Sequence, residues 1–172
     1  MIKVLVAGIG GASLGTEIMK CLRLAGRYEI IGCDISRYAY GHYAELASKT
    51  KVINSDNYAQ EVIDFARRGN IDGVIAGAGA PLRILNEKRS YFDEEDIKLI
   101  GSNAQTIILA EDKRAVAVAF DEAGILQPKW ISPKYAEDER LRSLTGPLIV
   151  KPAFGSGASR FVFLVEDAAA AA

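Results

Sequence analysis

The chain has 172 residues, 49% of them hydrophobic and 25% charged. That balance excludes a disordered, collagen-like or coiled-coil chain and leaves enough apolar material for a packed core. Twenty-one basic against 22 acidic side chains give a net charge of −1, so neither a polyanion-binding surface nor an acidic tail is implied. Two cysteines, Cys21 and Cys33, are too few for a disulfide framework or a zinc cluster and point to a reducing cytoplasm. The longest apolar runs, Val4–Ala7 and Phe161–Val165, have the length of strands, and no membrane span is expected.

In chain order, Ile2–Ala7 reads as a buried strand, because neither the long apolar stretch nor the cleavage site of a signal segment is there. After a glycine-rich turn, Leu14, Ile18, Cys21, Leu22 and Ala25 recur at helical spacing, and Gly26 stops the helix. Glu29–Cys33 is a second strand ending at Asp34, and Val52–Ile53 a short third. Ser55 or Asp56 caps a helix whose Tyr58, Val62, Phe65 and Ala66 share one face. Gly73–Ala76 and Lys98–Gly101 are further strands. This rhythm predicts an α/β unit, a Rossmann-like parallel sheet with helices on both faces, since parallel strands need crossovers. Ligands in such sheets collect at the carboxyl ends of the strands.

From about Gln105 the pattern changes, and a second unit is expected to start near Asn103, giving a division into 1–103 and 104–172. A helix over Asp112–Ala123, ended by Gly124, leads through Ile125–Ile131 and its Pro128 into the charged stretch Ser132–Arg142. Leu148–Lys151 and Arg160–Val165 then read as a hairpin. The closing run Ala168–Ala172 reads as a chain cut short, or as side chains recorded as alanine, in preference to a native helix end.

Two glycine loops carry the chemistry. The first, Gly8–Gly15, lies between a strand and a helix, where backbone N–H groups favour an anion. A dinucleotide fingerprint would have glycine where Ser13 stands, and Asp34 occupies the position of a ribose-binding acid. A tight turn with close helix–sheet packing accounts for the same glycines. The second loop follows Lys151-Pro152 and contains Gly155, Ser156, Gly157, Ala158 and Ser159 before Arg160. A strand-end lysine and a small-residue loop can cover phosphates, whose oxygens the lysine meets as a point charge. A Walker A loop is excluded, because the Gly-Lys-Ser/Thr spacing is missing. An ordinary hairpin turn with an edge lysine is the alternative.

The order of a lysine-bearing helix (Asp112-Lys113), a Gly124-Ile125 turn followed by Pro128, and a Lys151-Pro152 strand end with a Gly-Ser-Gly loop resembles the ATP-grasp superfamily. The front half, with Gly8–Gly15, Ile31–Ser36 and Asp72–Ile75, looks like its carbamoyl-phosphate-synthetase branch. The resemblance implies a pre-ATP-grasp domain over 1–103 and the beginning of an α+β ATP-grasp domain over 104–172. It implies a ligase that joins a small-molecule carboxylate to an amine or ammonia through an acyl phosphate, with ATP and Mg2+ as cofactors. Lys113 and Lys151 match the family's two phosphate-binding lysines, and Gly155, Ser156, Gly157, Ala158 and Ser159 match its closing loop. The family's magnesium carboxylates and adenine-binding segment come later than Asp167. No catalytic or metal-binding residue is therefore assigned, and these residues alone are expected to be inactive. A cytoplasmic location without nucleic-acid or membrane partners is expected, and the oligomeric state stays open, a homodimer included. The alternative is an NAD(P)-binding oxidoreductase domain using Gly8–Gly15 and Asp34.

Other residues receive structural readings. His42, the single histidine, reads as packed or exposed rather than catalytic. Tyr38, Tyr40 and Tyr43 read as a half-buried loop, with a wall of the substrate cleft as the alternative. Cys21 and Cys33 read as small hydrophobes on buried faces. Asp93–Asp96 reads as a solvated helix start, and Arg67-Arg68 and Lys88-Arg89 as helix ends.

Overall fold

Alternation along the first strand, β1 (Ile2–Ala7), is the reason helices cover the sheet on both faces. Leu5 and Ala7 join one apolar cluster with Val62, Phe65, Leu85 and Phe92, while Val6 joins another with Ile9, Met19 and Ile30. The computed structural model describes residues 1–11, 14–135, 138–155, 160–167 and 170. The chain divides into two compact units, Met1–Ala104 and Gln105–Ala172.

In the first unit β1 is followed by α1 (Leu14–Ala25), β2 (Tyr28–Asp34), β3 (Lys49–Val52), α2 (Tyr58–Arg68), β4 (Gly73–Ala76), α3 (Gly79–Asn86), α4 (Arg89–Glu94) and β5 (Lys98–Ile100). The strands pair in the order β3-β2-β1-β4-β5, all parallel, as expected for this pattern. The chain winds outward from β1 through β2 to β3, then returns to the other side of β1 as β4, so the order reverses between β1 and β4. Helix α1 covers one face through Met19, with Ile18 and Leu22 beside it; α2, α3 and α4 cover the other. The β2–β3 connection holds no α-helix, only a 3-10 turn at Tyr40–His42.

The start of α1 is welded to the sheet. Gly15 N donates to Gly77 O (2.9 Å) and Gly77 N to Ala7 O (2.7 Å). A Cβ on Gly15 would stand 1.8 Å from Gly8 O, and one on Gly77 2.0 Å from the same oxygen. Both positions therefore need glycine for the approach itself. At the sheet's edge, Lys49 and Lys51 of β3 set their ammonium groups 5.7 Å and 5.5 Å from the ring of Phe65, and Lys51 pairs with Glu61 at 3.0 Å.

The second unit contains α5 (Ala104–Glu111), α6 (Lys113–Glu122), β6 (Leu148–Val150) and β7 (Phe163–Val165). Strands β6 and β7 pair antiparallel, with Leu148 opposite Val165 and Val150 opposite Phe163. The stretch 124–135 after α6 forms no regular element. It is tied back by Gln127 Nε2, which donates to Ala117 O (2.7 Å), and by Trp130 Nε1, which donates to Asp121 Oδ2 (3.0 Å).

Several local expectations are corrected. The third strand runs over Lys49–Val52, and α2 begins after Asn57, whose side chain makes no cap bond. Asp93–Asp96 ends α4 instead of starting a helix, and Lys88 precedes α4 instead of ending α3. Arg89 opens α4 because its guanidinium reaches the carbonyls of Leu99 (3.0 Å) and Ser102 (3.4 Å). Cys21 is exposed, while Cys33 is buried. The tyrosines of the β2–β3 connection are exposed rather than half-buried.

Two outcomes follow from this packing. Gly15→Ala is expected to lower the unfolding free energy by at least about 3 kcal/mol, because the atom it meets is backbone. Gly79→Ala, with nothing within 4 Å of its Cβ position, is expected to stay within about 1 kcal/mol of the parent; denaturant titration of both variants checks the contrast. Burial, with the Asp34 charge beside it, pushes the Cys33 thiol up to about 12. A thiol reagent at pH 8 is therefore expected to label Cys21 in the native protein and Cys33 only after unfolding, as read by mass spectrometry.

Candidate functional site

In the second unit the head of α6 and the segment after β6 are held together by backbone. Lys113 N donates to Ala153 O at 2.8 Å, and the Arg114 guanidinium lies 5.6 Å from the ring of Phe154. This brings Lys113, the first residue of α6, to the root of the loop that begins with the exposed Lys151. Gly155 adopts φ +71°, a backbone conformation that favours glycine. Ser156, Gly157, Ala158 and Ser159 lie outside the described residues.

The amides at the start of α6 are all engaged by protein. Lys113 N meets Ala153 O, Arg114 N and Ala115 N donate to Asp112 Oδ1 (2.8 Å and 3.4 Å), and Val116 N donates to Asp112 O. The Arg114 side chain closes on the same carboxylate, with Nη2 2.8 Å from Oδ2. Hydrogen bonds from the Arg114 side chain, then from its backbone N–H, hold the Asp112 carboxyl down at about 2. The first turn of α6 therefore has no main-chain amide left for an anion. The sequence carried no sign of the Ala153 contact, which is made by main chain alone.

At the carboxyl ends of the first unit's strands, Gly8 N donates to Cys33 O (2.8 Å) and Ile9 N to Asp34 Oδ2 (2.7 Å). Asp34 Oδ1 accepts from Ser36 N (2.9 Å). Asp34 therefore ties the glycine turn to the end of β2, and both its oxygens already hold backbone N–H groups. Ser13 stands where a dinucleotide fingerprint has its third glycine, and the oxidoreductase alternative is not favoured. His42 is half-buried, and its Nε2 has no hydrogen-bond partner. Tyr58, read from sequence as core, also borders a cavity at these strand ends with Pro81 and Ile84. The signal available was Pro81 in the first turn of a helix that follows a strand directly.

Among the described residues no group of three or more His, Cys, Asp or Glu side chains is arranged to hold a metal ion. No helix among them is long and apolar enough to cross a membrane.

No family model matches the chain. A protein named carbamoyl phosphate synthase large chain from Sulfolobus acidocaldarius is 24% identical over 175 residues, spanning 96% of this chain and 16% of its own length. The chain thus spans a small fraction of the curated relatives it matches. Among solved structures it is similar to N5-carboxyaminoimidazole ribonucleotide synthetase from Thermotoga maritima, with TM-score 0.65 and 17% identity over 97% of this chain and 41% of that one. It is also similar to the biotin carboxylase domain of 2-oxoglutarate carboxylase from Hydrogenobacter thermophilus. There the TM-score is 0.65 at 18% identity, over 96% of this chain and 38% of that one. That domain is a dimer in complex with MgADP, ADP and bicarbonate. At these identities the structural likeness is one of fold.

The carboxylate of Asp112 supports α6 fully above the ordinary aspartate range and loses that support as pH falls through about 2. A carbon-13 NMR titration is expected to give a midpoint near about 2 for this carboxyl. Arg114→Met is expected to raise that midpoint toward the usual aspartate range.

Proposed function

We propose that these residues belong to an ATP-dependent ligase of the carbamoyl-phosphate-synthetase kind, in which 1–103 forms the domain preceding the nucleotide-gripping domain and 104–172 begins the latter. The observation that carries this reading is the joining of Lys113 to the Lys151–Gly155 segment through the Lys113 N–Ala153 O bond. The carbamoyl phosphate synthase relatives support it further.

The donor set suits a polyphosphate. On this reading Lys113 and Lys151 neutralise phosphate oxygens from the helix head and from the end of β6. Their charge counts most where water is displaced. Gly155 lets the backbone turn without a side chain in the way, and Ser156, Gly157, Ala158 and Ser159 complete a small-residue cover over the same oxygens. Bound ATP supplies the γ-phosphoryl group that turns a carboxylate into an acyl phosphate, from which an amine or ammonia expels phosphate. Among the described residues no group of three or more His, Cys, Asp or Glu side chains is arranged to hold Mg2+.

Lys151→Ala and Lys113→Ala are each expected to weaken ATP binding by roughly ten- to a hundred-fold, the loss associated with a hydrogen bond to a charged group. Calorimetric titration with ATP, and in parallel with NAD and NADP, checks this. Unchanged ATP affinity in both variants, or preferential binding of a dinucleotide, would contradict the reading.

A further inference from the structure

A second cavity of the first unit lies at the other end of the sheet, beside the amino ends of β1, β2 and β3 and the carboxyl end of α1. Its volume of about 390 Å³ falls within the range of about 300–1,000 Å³ usual for small-molecule clefts. We propose that this cavity is a ligand site for a small monocarboxylate with an apolar tail, and that Arg23 takes the carboxylate. The site lies within one unit and does not depend on the nucleotide reading of the other.

The apolar half of the recognition comes from the core. Ile30, on the lining, is 5% exposed and belongs to the cluster of Val6, Ile9 and Met19; Tyr28, Leu46 and Ala47 line the cavity and pack against the same cluster. Arg27 keeps Tyr28 in place, its Nε donating to the hydroxyl (3.2 Å) and its guanidinium lying 5.3 Å from the ring. Met1, also on the lining, is 87% exposed. An apolar tail laid here removes from water side chains that already form the edge of a core.

Charge supplies the other half. Arg23 reaches from one wall to the other: it leaves the last turn of α1, and its Nη1 donates to the carbonyl of Glu45, the residue before Leu46. Glu45 holds φ +53°, in the left-handed region that residues other than glycine seldom enter. Such strain persists only where the surroundings impose it, and here the strained residue's carbonyl fixes the guanidinium. A guanidinium carries five N–H donors, so an exposed one held by a single nitrogen keeps a fork for a carboxylate. Neither Arg23 nor Arg27 forms an ion pair with an acid among the described residues. Glu29, the acid on the lining, is already opposed by Lys3 Nζ at 3.9 Å and accepts from Ser48 Oγ (3.4 Å). The carboxyl end of α1 adds about half a negative charge against two whole positive ones. The balance favours an anion, and the planar fork favours one with two oxygens in a plane.

The test uses the 172-residue chain and two probes of the same shape, 4-phenylbutanoate and 4-phenylbutanamide, followed by two-dimensional amide NMR. The carboxylate is expected to shift the Gly26, Glu29, Ala47 and Ser48 resonances saturably, and the carboxamide to bind about ten-fold more weakly or worse. Raising NaCl from about 20 mM to about 500 mM is expected to weaken the carboxylate and leave the carboxamide unchanged. Neither comparison needs a variant. Arg23→Met, at an exposed position, is expected to keep the fold and to bind the carboxylate about ten-fold more weakly. Lys151→Ala is expected to leave the response intact, which separates this site from the nucleotide site. Equal affinity for the two probes, a salt response shared by both, shifts centred elsewhere or absent, or an unchanged carboxylate affinity in Arg23→Met would each overturn the proposal.

Discussion

The carbonyl oxygen of Gly8 is crowded by two other backbones, those of Gly15 and Gly77, and the first unit is organised around that meeting. It fixes where β1 ends, where α1 begins and how closely the end of β4 can approach, all at the point where the sheet changes direction. Two hydrogen bonds, Gly15 N to Gly77 O and Gly77 N to Ala7 O, run across the same spot. Asp34 then clamps the turn from the side of β2.

The two glycine loops look alike as sequence and differ in electrostatics. In the first, three amides are already satisfied by protein carbonyls or by a carboxylate, and the nearest fixed charge is negative. In the second, the helix amides are satisfied as well, but the side chains at hand are the cations Lys113 and Lys151. Glycine permits a close approach in both places. The neighbouring charges decide what can approach.

Long periodic segments were legible in the sequence because burial imposes their period: β1, α1, β2, α2 and the helix led by Asp112 lie where apolar spacing put them. Their parallel pairing followed from the crossovers between them. The failures lie where periodicity is too short to read. Arg89 opens α4 on account of carbonyls some ten residues away, which no local pattern encodes. Cys21 fits a helical apolar stripe, yet it lies on the solvent side of α1 while Leu22 beside it packs inward. Lys113 and Lys151 could be singled out by their setting in the chain, but the bond that joins their segments runs from an amide to the carbonyl of Ala153, and any residue but proline could donate it. The cavity wall was hidden for a similar reason: Tyr58 sits at a core position of α2 by spacing, and only the end of the sheet turns it into lining.

The pair of lysines stacked against Phe65 along β3 also governs how the chain behaves in a crowded solution. That strand is the outermost of its sheet on one side, and its unpaired main-chain groups would otherwise offer a template to any extended peptide. A foreign strand docking there would have to strip two ammonium groups from the aromatic ring and break the Lys51–Glu61 pair while bringing its own backbone alongside. Edge-to-edge sheet growth is thereby discouraged on that flank, and colloidal stability is written into the same residues that close the hydrophobic layer beneath α2.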